Sequence, residues 1–285
     1  MTKIDQFESV FKSADKAVYT YDRPTFERVL LVTDLNDADA ADIASRVRSF
    51  LTVVDDAGTQ WNTLSGDDFS SVRSLLEDIE ERKPDLIVTY RHLHSEAWRW
   101  PHSLGEYLDV MTQATSVPVL VLPHPDADRA LPHSIKDTDR VMAITNHLTG
   151  DNRLVNMAVR FTEPGGTCWL THVESETVFE RYMDAISKIP AIDTDVARES
   201  LAAQLLKEPR DFIAACRAEI DAQGLPVDIE EVVVMGRQVD EYGDLVAKRE
   251  IDLLVLHTKD DDQLAMHGAA YVLAVELRGI PLLML

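Results

Sequence analysis

The stretch Ile229-Glu-Glu-Val-Val-Val-Met-Gly236 opens the segment that decides the fold of this 285-residue chain. A charged segment with helical periodicity follows at residues 239–249, and the short apolar run Ile251-Asp-Leu-Leu-Val-Leu256 comes next. After a polar loop and the amphipathic residues 268–278, the chain ends on Ile280-Pro-Leu-Leu-Met-Leu285. Short apolar runs rich in Val, Ile and Leu favour strands. Such strands alternating with helices predict a parallel sheet that is covered on both faces.

The final part of this pattern occurs twice in the chain. An Asp-Leu-(Ile/Leu)-Val strand, a polar loop, a helix that begins at glycine and an X-Pro-aliphatic strand fill residues 85–122 and again 252–285. The same 13 positions separate the glycine from the proline in each copy, Gly105 from Pro118 and Gly268 from Pro281. A repeat in this register predicts two copies of one α/β unit.

These motifs, in this order, resemble the universal stress protein family. Residues 141–145 resemble the first strand of the family, residues 168–174 its second strand, which typically ends in His-Val, and Gly236 the glycine after its third strand. The earlier copy matches at residues 29–34 and 85–122 and is shorter between them. The resemblance implies an α/β fold with two tandem units of the HUP (adenine nucleotide alpha hydrolase-like) type. Each unit would be a mostly parallel sheet with helices on both faces, and the first unit would be abbreviated.

We predict four segments along the chain. An N-terminal helix within residues 1–22 docks on its own domain through an apolar face, because apolar residues recur there at helical spacing. The first unit spans residues 23–123 and has four strands, the linker spans 124–139, and the second unit spans 140–285. In the first unit, Asp37 and Asp39 are candidate caps of a helix at 38–54. In the second, a long helix at 196–223 is expected to bend or break near Pro209.

Composition limits the partners of the chain. The 28 Lys and Arg against 50 Asp and Glu give a net charge of −22, which disfavours binding to nucleic acid and to anionic membrane surfaces. No apolar run approaches the ~20 residues of a membrane span, and no secretory signal is visible. The two cysteines, Cys168 and Cys216, are expected to be reduced. We therefore predict a cytoplasmic location.

The resemblance implies a nucleotide site that can be tested residue by residue. ATP-binding members carry an acidic residue after the first strand and a loop of Gly-x-x-Gly, nine residues, then Gly and Ser or Thr. In the first unit Asp34 and Gly105 match, but His92 and Ser95 stand at the first two glycine positions and Glu106 at the hydroxyl position. Glycine allows backbone amides to approach phosphate closely, so these replacements predict a loop that has lost this ability.

The second unit departs further from the nucleotide-binding pattern. Asn146 replaces the acidic residue, the loop at 258–266 contains no glycine, and Ala269 replaces the hydroxyl residue after Gly268. Three consecutive aspartates in this loop would repel a triphosphate. ATP and AMP are therefore not expected as ligands, and no cofactor is expected, with zinc left open.

Histidines at strand ends are the alternative site. In the second unit, His147, His172 and His257 each follow a predicted strand, and His267 precedes Gly268. Together with Asp260 they could offer zinc its usual nitrogen and oxygen ligands. The competing interpretation is that His172 hydrogen-bonds within the sheet edge and the others are exposed. In the first unit His92 and His94 have a weaker pattern. The candidate ligand-binding residues are Asp34, His92, Ser95, Gly105, Asn146, His172, His257 and Gly268.

No nucleophile elbow, Walker loop or convincing cysteine–base pair is present, so we predict a protein that is not an enzyme. The leading function is a stress-response protein with degenerate ATP-binding loops that acts through a small ligand or a protein partner. A zinc or small-anion sensor and a nucleotide-hydrolysing protein with an atypical loop remain alternatives. The closing strands of the two units, at 120–122 and 282–284, are apolar edges that need covering. We expect them to pair within the chain as a pseudo-dimer, with a further homodimer left open.

Overall fold

One sheet contains every strand of the described chain. The computed structural model describes residues 19–100, 103–127, 130–145, 148–258 and 268–285, so residues 1–18 of the predicted N-terminal docking helix lie outside it. The strands are β1 (Arg28–Val32), β2 (Gln60–Leu64), β3 (Leu86–Tyr90), β4 (Val119–Leu122), β5 (Arg140–Ile144), β6 (Thr167–Ser175), β7 (Asp228–Gly236), β8 (Leu253–Leu256) and β9 (Leu282–Met284). Their order across the sheet is β2-β1-β3-β4-β9-β8-β5-β6-β7.

Helices connect these strands. They are α1 (Asp37–Phe50), α2 (Val72–Arg82), α3 (Glu106–Ala114), α4 (Asn152–Phe161), α5 (Glu176–Ser187), α6 (Thr194–Ala222), α7 (Gln238–Arg249) and α8 (Gly268–Glu276). None of the helices in the described ranges is long and apolar enough to cross a membrane. The fold is a mostly parallel α/β sheet, as the sequence predicts.

The strand directions divide the sheet into two halves, residues up to β4 and residues from β5 onward. All neighbouring strands are parallel except β4 and β9, which are antiparallel. The pairing predicted for the two closing strands is therefore present, with Leu120 opposite Leu283. Because the direction reverses there, the carboxyl ends of β1–β4 and those of β5–β9 lie at opposite edges of the sheet.

The central strands are buried throughout their lengths. Every residue of β3, β4, β8 and β9 is buried, which explains why their sequences are continuous apolar runs. The burial of each Val, Leu or Ile side chain contributes about 1.5–3 kcal/mol. The core is therefore continuous across the junction between β4 and β9, and both halves share it.

The two halves also share a local hydrogen-bond pattern. Asp85, just before β3, accepts from the backbone N–H of Arg28 at 2.9 Å, and its own N–H donates to the Arg28 carbonyl. Asp252, just before β8, has the same two contacts with Arg140, at 3.1 and 2.9 Å. The repeated Asp-Leu-(Ile/Leu)-Val motif thus joins the start of each such strand to the start of its neighbour.

Two buried arginines join the halves. Arg91, which follows β3, donates to the carbonyls of Ala274 and Leu277 at the end of α8, at 2.5 and 3.1 Å. Arg160 on α4 donates to Pro24, Val53 and the Asp56 carboxylate. In each of these contacts the two residues are more than 100 positions apart in the sequence. The contacts hold helices of one half against loops of the other.

Several element boundaries differ from the sequence-based expectation. The cap of α1 is Asn36, whose side chain accepts from the backbone N–H groups of Ala38 and Asp39, so Asp37 and Asp39 lie inside the first turn. There the negative charges of the two aspartates interact favourably with the positive end of the helix dipole. α6 continues through Pro209, because the following turns bury Phe212, Ile213 and Cys216 against the sheet and this packing holds the helix together.

The predicted linker is fixed to the second half at several points. Leu131 N–H and the Ser134 hydroxyl both donate to the Gly279 carbonyl, at 2.9 and 3.0 Å. Thr138 is fully buried, and its carbonyl accepts from Glu163 N–H at 3.0 Å.

Candidate functional site

The strand order places a candidate site at the carboxyl end of the first half. From β1 the chain goes to β2 on one side, whereas β3 lies on the other side of β1. Ligands of open parallel sheets bind at such a reversal of strand order. Asp34 follows β1, and the loop that carries His92, His94 and Ser95 follows β3, so the predicted first-unit residues do gather at this edge.

Both carboxylate oxygens of Asp34 accept hydrogen bonds from neighbouring residues. Oδ1 accepts a short hydrogen bond from the Tyr90 hydroxyl, and Oδ2 accepts from His94 N–H at 2.7 Å. The Tyr90 oxygen also contacts Thr33 Oγ1 at 2.7 Å and accepts from Asp34 N–H at 3.2 Å. Burial and the Asp34 carboxylate raise the pKa of Tyr90, so its hydroxyl stays protonated and remains a donor to Asp34.

His92 and Gly105 fix the backbone of the loop that follows β3. His92 is buried, and its backbone N–H donates to the Leu104 carbonyl at 3.0 Å. Gly105, with φ of +95°, caps α3, and a Cβ placed on it would lie 2.8 Å from His92 N and Cα. Glycine is therefore required here both by backbone conformation and by the neighbouring loop. The amino terminus of α3 faces this loop at close range.

The candidate site itself is an open cleft of about 460 Å³. Ser95 caps a short 3-10 helix by accepting from Ala97 N–H at 3.1 Å. The rings of the two lining histidines are fixed by aromatic neighbours: His94 contacts Phe69 at 4.9 Å, and His124 contacts Tyr90 at 4.9 Å between ring centroids. The lining residues are Asp34, His94, Ser95, Glu96, Arg99, His124 and Asp126.

The charge of this cleft is negative. Its lining residues include three carboxylates, those of Asp34, Glu96 and Asp126, and one arginine, Arg99, which pairs with Glu96 at 3.2 Å. Burial lowers the pKa of His124 and that of His92, so both imidazoles are neutral near pH 7. A cleft of this sign attracts cations and repels phosphate groups.

The described part of the second-half edge is filled by protein side chains. Tyr242 of α7 is buried, and its hydroxyl donates to the Thr145 carbonyl after β5 and accepts from Val173 N–H of β6, both at 3.4 Å. Gln238 donates to the Val173 carbonyl at 3.0 Å. Asn146, His147, Asp260 and His267 lie outside the described residues. So do the rest of the loop at 259–267 and the side chain of Ala269.

The two described histidines of the predicted metal group are not brought together. His257 Nε2 lies 2.7 Å from Asp151 Oδ2, whereas His172 Nε2 lies 3.3 Å from Glu174 Oε2. They follow β8 residue Leu256 and β6 residue Thr171, which both align with Ile144 of the intervening β5. Two strand spacings, about 10 Å, separate their backbones, and each imidazole has its own carboxylate.

A different acidic group is the one set of three metal-ligand side chains that lies close together within the described ranges. Carboxylate oxygens of Asp137, Asp139 and Asp252 all lie within 4.8 Å of one another. Asp252 is buried, and desolvation, a hydrogen bond with Asp139 and the charges of Asp137 and Asp139 raise its pKa to about 8. The extra proton relieves repulsion in this group, which lies beside the start of β8.

Sequence reasoning missed Tyr90, His124 and Asp126. Nothing in the sequence shows that the segment after β4, which carries His124 and Asp126, reaches the end of β3, where Tyr90 lies. The strand order supplies that contact. The only usable sequence signal is the position of His124 two residues beyond a predicted parallel strand.

The fold is thus that of an open, mostly parallel α/β sheet with an acidic cleft at a reversal of strand order. No family model and no curated protein sequence matches the chain. Among solved structures, a universal stress protein from Archaeoglobus fulgidus DSM 4304 aligns over 90% of this chain and 95% of its own, with 9% identity and a TM-score of 0.47. A protein of unknown function from Pseudomonas aeruginosa PAO1 aligns over 90% and 81%, with 12% identity and a TM-score of 0.45.

Proposed function

We propose that this chain is a non-enzymatic stress-response protein of the universal stress protein type, with two tandem units whose nucleotide sites no longer bind ATP. In this proposal it acts by binding a small cationic ligand in the cleft beside Asp34. The observation that carries the proposal is the state of Asp34: both carboxylate oxygens are occupied by Tyr90 and His94. The one acidic residue that matches the nucleotide-binding pattern is therefore engaged in holding the loop.

The loop itself supports the loss of phosphate binding. Phosphate cradles need several free backbone N–H groups at a helix amino terminus. In this loop, His94 N–H is bound to Asp34, His92 N–H to Leu104 and Ala97 N–H to Ser95. The carboxylates of Asp34 and Asp126 would add repulsion toward a triphosphate.

A small organic cation suits the same cleft better. The carboxylates of Asp34, Glu96 and Asp126 among the lining residues attract an ammonium group, and the volume of about 460 Å³ falls within the usual range for small-molecule sites. The hydroxyl of Ser95, the one alcohol among the lining residues, caps the short 3-10 helix by accepting from Ala97 N–H, which supports binding over catalysis.

Calorimetric titration of the full chain with ATP, AMP and 1,4-diaminobutane tests the proposal. We expect no saturable heat from the nucleotides and saturable binding of the diamine. Asp126→Asn should weaken the diamine several-fold, whereas Asp67→Asn, an exposed carboxylate outside the cleft, should not. Saturable ATP binding that is lost on His94→Pro, or ATP turnover, would overturn the proposal.

A zinc titration in the same series addresses the metal-sensor alternative. Zinc binding that disappears in both His257→Ala and His267→Ala would favour a sensor at the second-half edge. Zinc binding that survives both changes would assign the metal elsewhere.

A further inference from the structure

The two edges of the sheet differ in how they are covered. β7 forms one edge and β2 forms the other. On β7, the carbonyls of Ile229 and Val233 accept hydrogen bonds from Arg217 and Arg210 of α6, at 2.8 and 3.3 Å. β7 also carries three carboxylates, those of Asp228, Glu230 and Glu231. Charged side chains and covering helices commonly protect an edge strand against pairing with another chain.

The described part of the chain gives β2 no such cover. β2 pairs in parallel with β1 as β6 pairs with β5, but no strand of the described ranges lies outside β2 as β7 lies outside β6. The sequence Gln60-Trp-Asn-Thr-Leu64 contains no charged residue, although the chain has a net charge of −22. Asn62 and Thr63 are exposed. β2 is therefore an uncharged edge that is accessible to another strand.

The backbone of β2 presents donors and acceptors at this edge. Gln60 N–H donates to the Glu27 carbonyl at 2.7 Å, so the even-numbered residues of β2 direct their backbone groups toward β1. Because these groups alternate along a strand, the N–H and carbonyl groups of Trp61 and Thr63 point outward. They have no hydrogen-bond partner among the described residues.

Both ends of this free edge are closed by local hydrogen bonds. Thr59 N–H donates to the Asp56 carbonyl at 3.0 Å. At the other end, Ser65 N–H donates to Asp68 Oδ2 at 2.7 Å. The outward N–H groups that remain for a partner strand are thus those of Trp61 and Thr63.

The symmetry of the free edge fits a second copy of this chain. Trp61 and Thr63 lie one position on either side of Asn62. When two β2 strands pair antiparallel, one register places Trp61 opposite Thr63 of the second copy and Asn62 opposite itself. In that register every outward N–H meets an outward carbonyl. A shift of two positions would instead pair Trp61 with Ser65, or Thr63 with Thr59, whose N–H groups are already bonded.

The side chains of β2 also suit a two-fold axis. A residue on the axis meets its own copy, and like charges directly opposite each other are destabilising. Asn62 is uncharged, and its amide is both a donor and an acceptor. Trp61 lies on the other face, where its Nε1 donates to Asp55 Oδ1 at 2.9 Å and the Arg48 guanidinium lies 5.6 Å from its ring centre. The two Trp61 rings of the pair would be diagonal neighbours within reach of each other.

We propose that β2 is a dimerisation edge, at which two copies of this chain pair antiparallel about a two-fold axis through Asn62. The dimer contains one continuous sheet, and its contact repeats between copies the antiparallel pairing that β4 and β9 make within one copy. Because the contact is short, the dimer is weak and depends on protein concentration. This inference goes beyond the proposed ligand binding and does not depend on it.

Disulfide trapping in the full chain tests the register. Asn62→Cys places two thiols at a non-hydrogen-bonded pair with Cα atoms about 4.5 Å apart, so we expect disulfide-linked dimers on mild oxidation. Gln60→Cys is the matched control, because it is exposed on the same strand but its two copies would lie about 13 Å apart along the strands. Asn62→Cys should form dimers several-fold faster. Cys168 and Cys216 are buried and do not compete.

Sedimentation and amide hydrogen exchange test the dimer without a new thiol. As the concentration of the parent protein rises, we expect a monomer–dimer equilibrium and several-fold slower exchange at Trp61 and Thr63. Asn62→Lys should remove both changes, because it places like charges on the axis. Gln204→Lys adds the same charge at an exposed position of α6 and should leave both changes intact.

The remaining outcomes overturn the proposal in distinguishable ways. A monomer at every concentration, or equal trapping of the two cysteine variants, would show that the edge does not pair with itself. A dimer that survives Asn62→Lys would place the contact elsewhere. Slow exchange of Trp61 and Thr63 already in the monomer would mean that the edge is covered within one chain. Assemblies larger than a dimer would indicate a contact that does not close on a two-fold axis.

Discussion

At the scale of single residues, the raised pKa of Asp252 predicts an unusual dependence of stability on pH. The folded protein holds a proton on Asp252 up to about pH 8, whereas the ordinary value is 3.8. Between these values the folded state binds more protons than the unfolded state, so this group makes the free energy of unfolding fall as pH rises. The slope is at most about 1.4 kcal/mol per pH unit.

Asp252→Asn should remove this contribution, because the amide oxygen can still accept from Arg140 N–H but carries no charge. The measurement is urea unfolding at pH values from 4.5 to 8.5, with the difference between variant and parent taken at each pH. Asp85→Asn is the matched control, since Asp85 makes the equivalent contact with Arg28 and belongs to no acidic trio within the described ranges. Equal slopes in the parent and Asp252→Asn would contradict the prediction.

Gly105 offers a second prediction at this scale. Gly105→Ala adds a Cβ at 2.8 Å from His92 backbone atoms and forces a side chain into φ of +95°. Gly58 has φ of +109° but open space around its Cβ position, so Gly58→Ala measures the backbone cost alone, about 1–3 kcal/mol. We expect Gly105→Ala to cost about 1–3 kcal/mol more, measured by thermal or urea unfolding. Equal costs at the two positions would show that the His92 loop yields freely.

At the scale of elements, the strands were predictable because their apolar runs are continuous. The first half has four strands, as expected. The helix caps were less predictable: Asn36 competes with two aspartates for α1, and only the observed backbone geometry selects it. The continuation of α6 through Pro209 depends on burial of Phe212 and Ile213, which local sequence does not encode.

The sequence predicted only those residues of the candidate site that follow β1 and β3. Asp34 and Ser95 line the cleft, whereas His124 and Asp126 reach it from the segment after β4. The closest partners of Asp34, Tyr90 and His94, are 56 and 60 positions away in sequence. Such contacts follow from strand order and from the positive φ of His92 and His94, neither of which can be read from residue types.

The carboxyl end of α8 gives the prediction at element scale. Arg91 is buried and donates to two carbonyls there, and hydrogen bonds from a charged group contribute about 1.5–3 kcal/mol. Arg91→Met should therefore destabilise the protein by about 2–4 kcal/mol and increase hydrogen exchange in α8. Arg82→Met is the control, because its ion pair with Asp78 is long, at 3.8 Å, and exposed, so it should cost under ~0.5 kcal/mol. Unchanged exchange in α8 would contradict this role of Arg91.

At the scale of the whole molecule, the shared core predicts that the two halves unfold together. β4 and β9 join one continuous sheet, and Arg91 and Arg160 tie each half to the other. Leu170→Ala in β6 removes a fully buried side chain of the second half and should cost about 2–5 kcal/mol.

The same loss should appear in the first half, because a single cooperative transition is seen identically by every probe. Trp169 reports on the second half after Trp61, Trp98 and Trp100 are replaced by Phe, and Trp61 reports on the first half when it is the one tryptophan retained. We expect Leu170→Ala to shift the urea midpoint equally in both backgrounds. A shift seen only by Trp169 would mean that the antiparallel pair of strands joins two independently stable units, and that the buried arginines add little coupling across the β4–β9 junction.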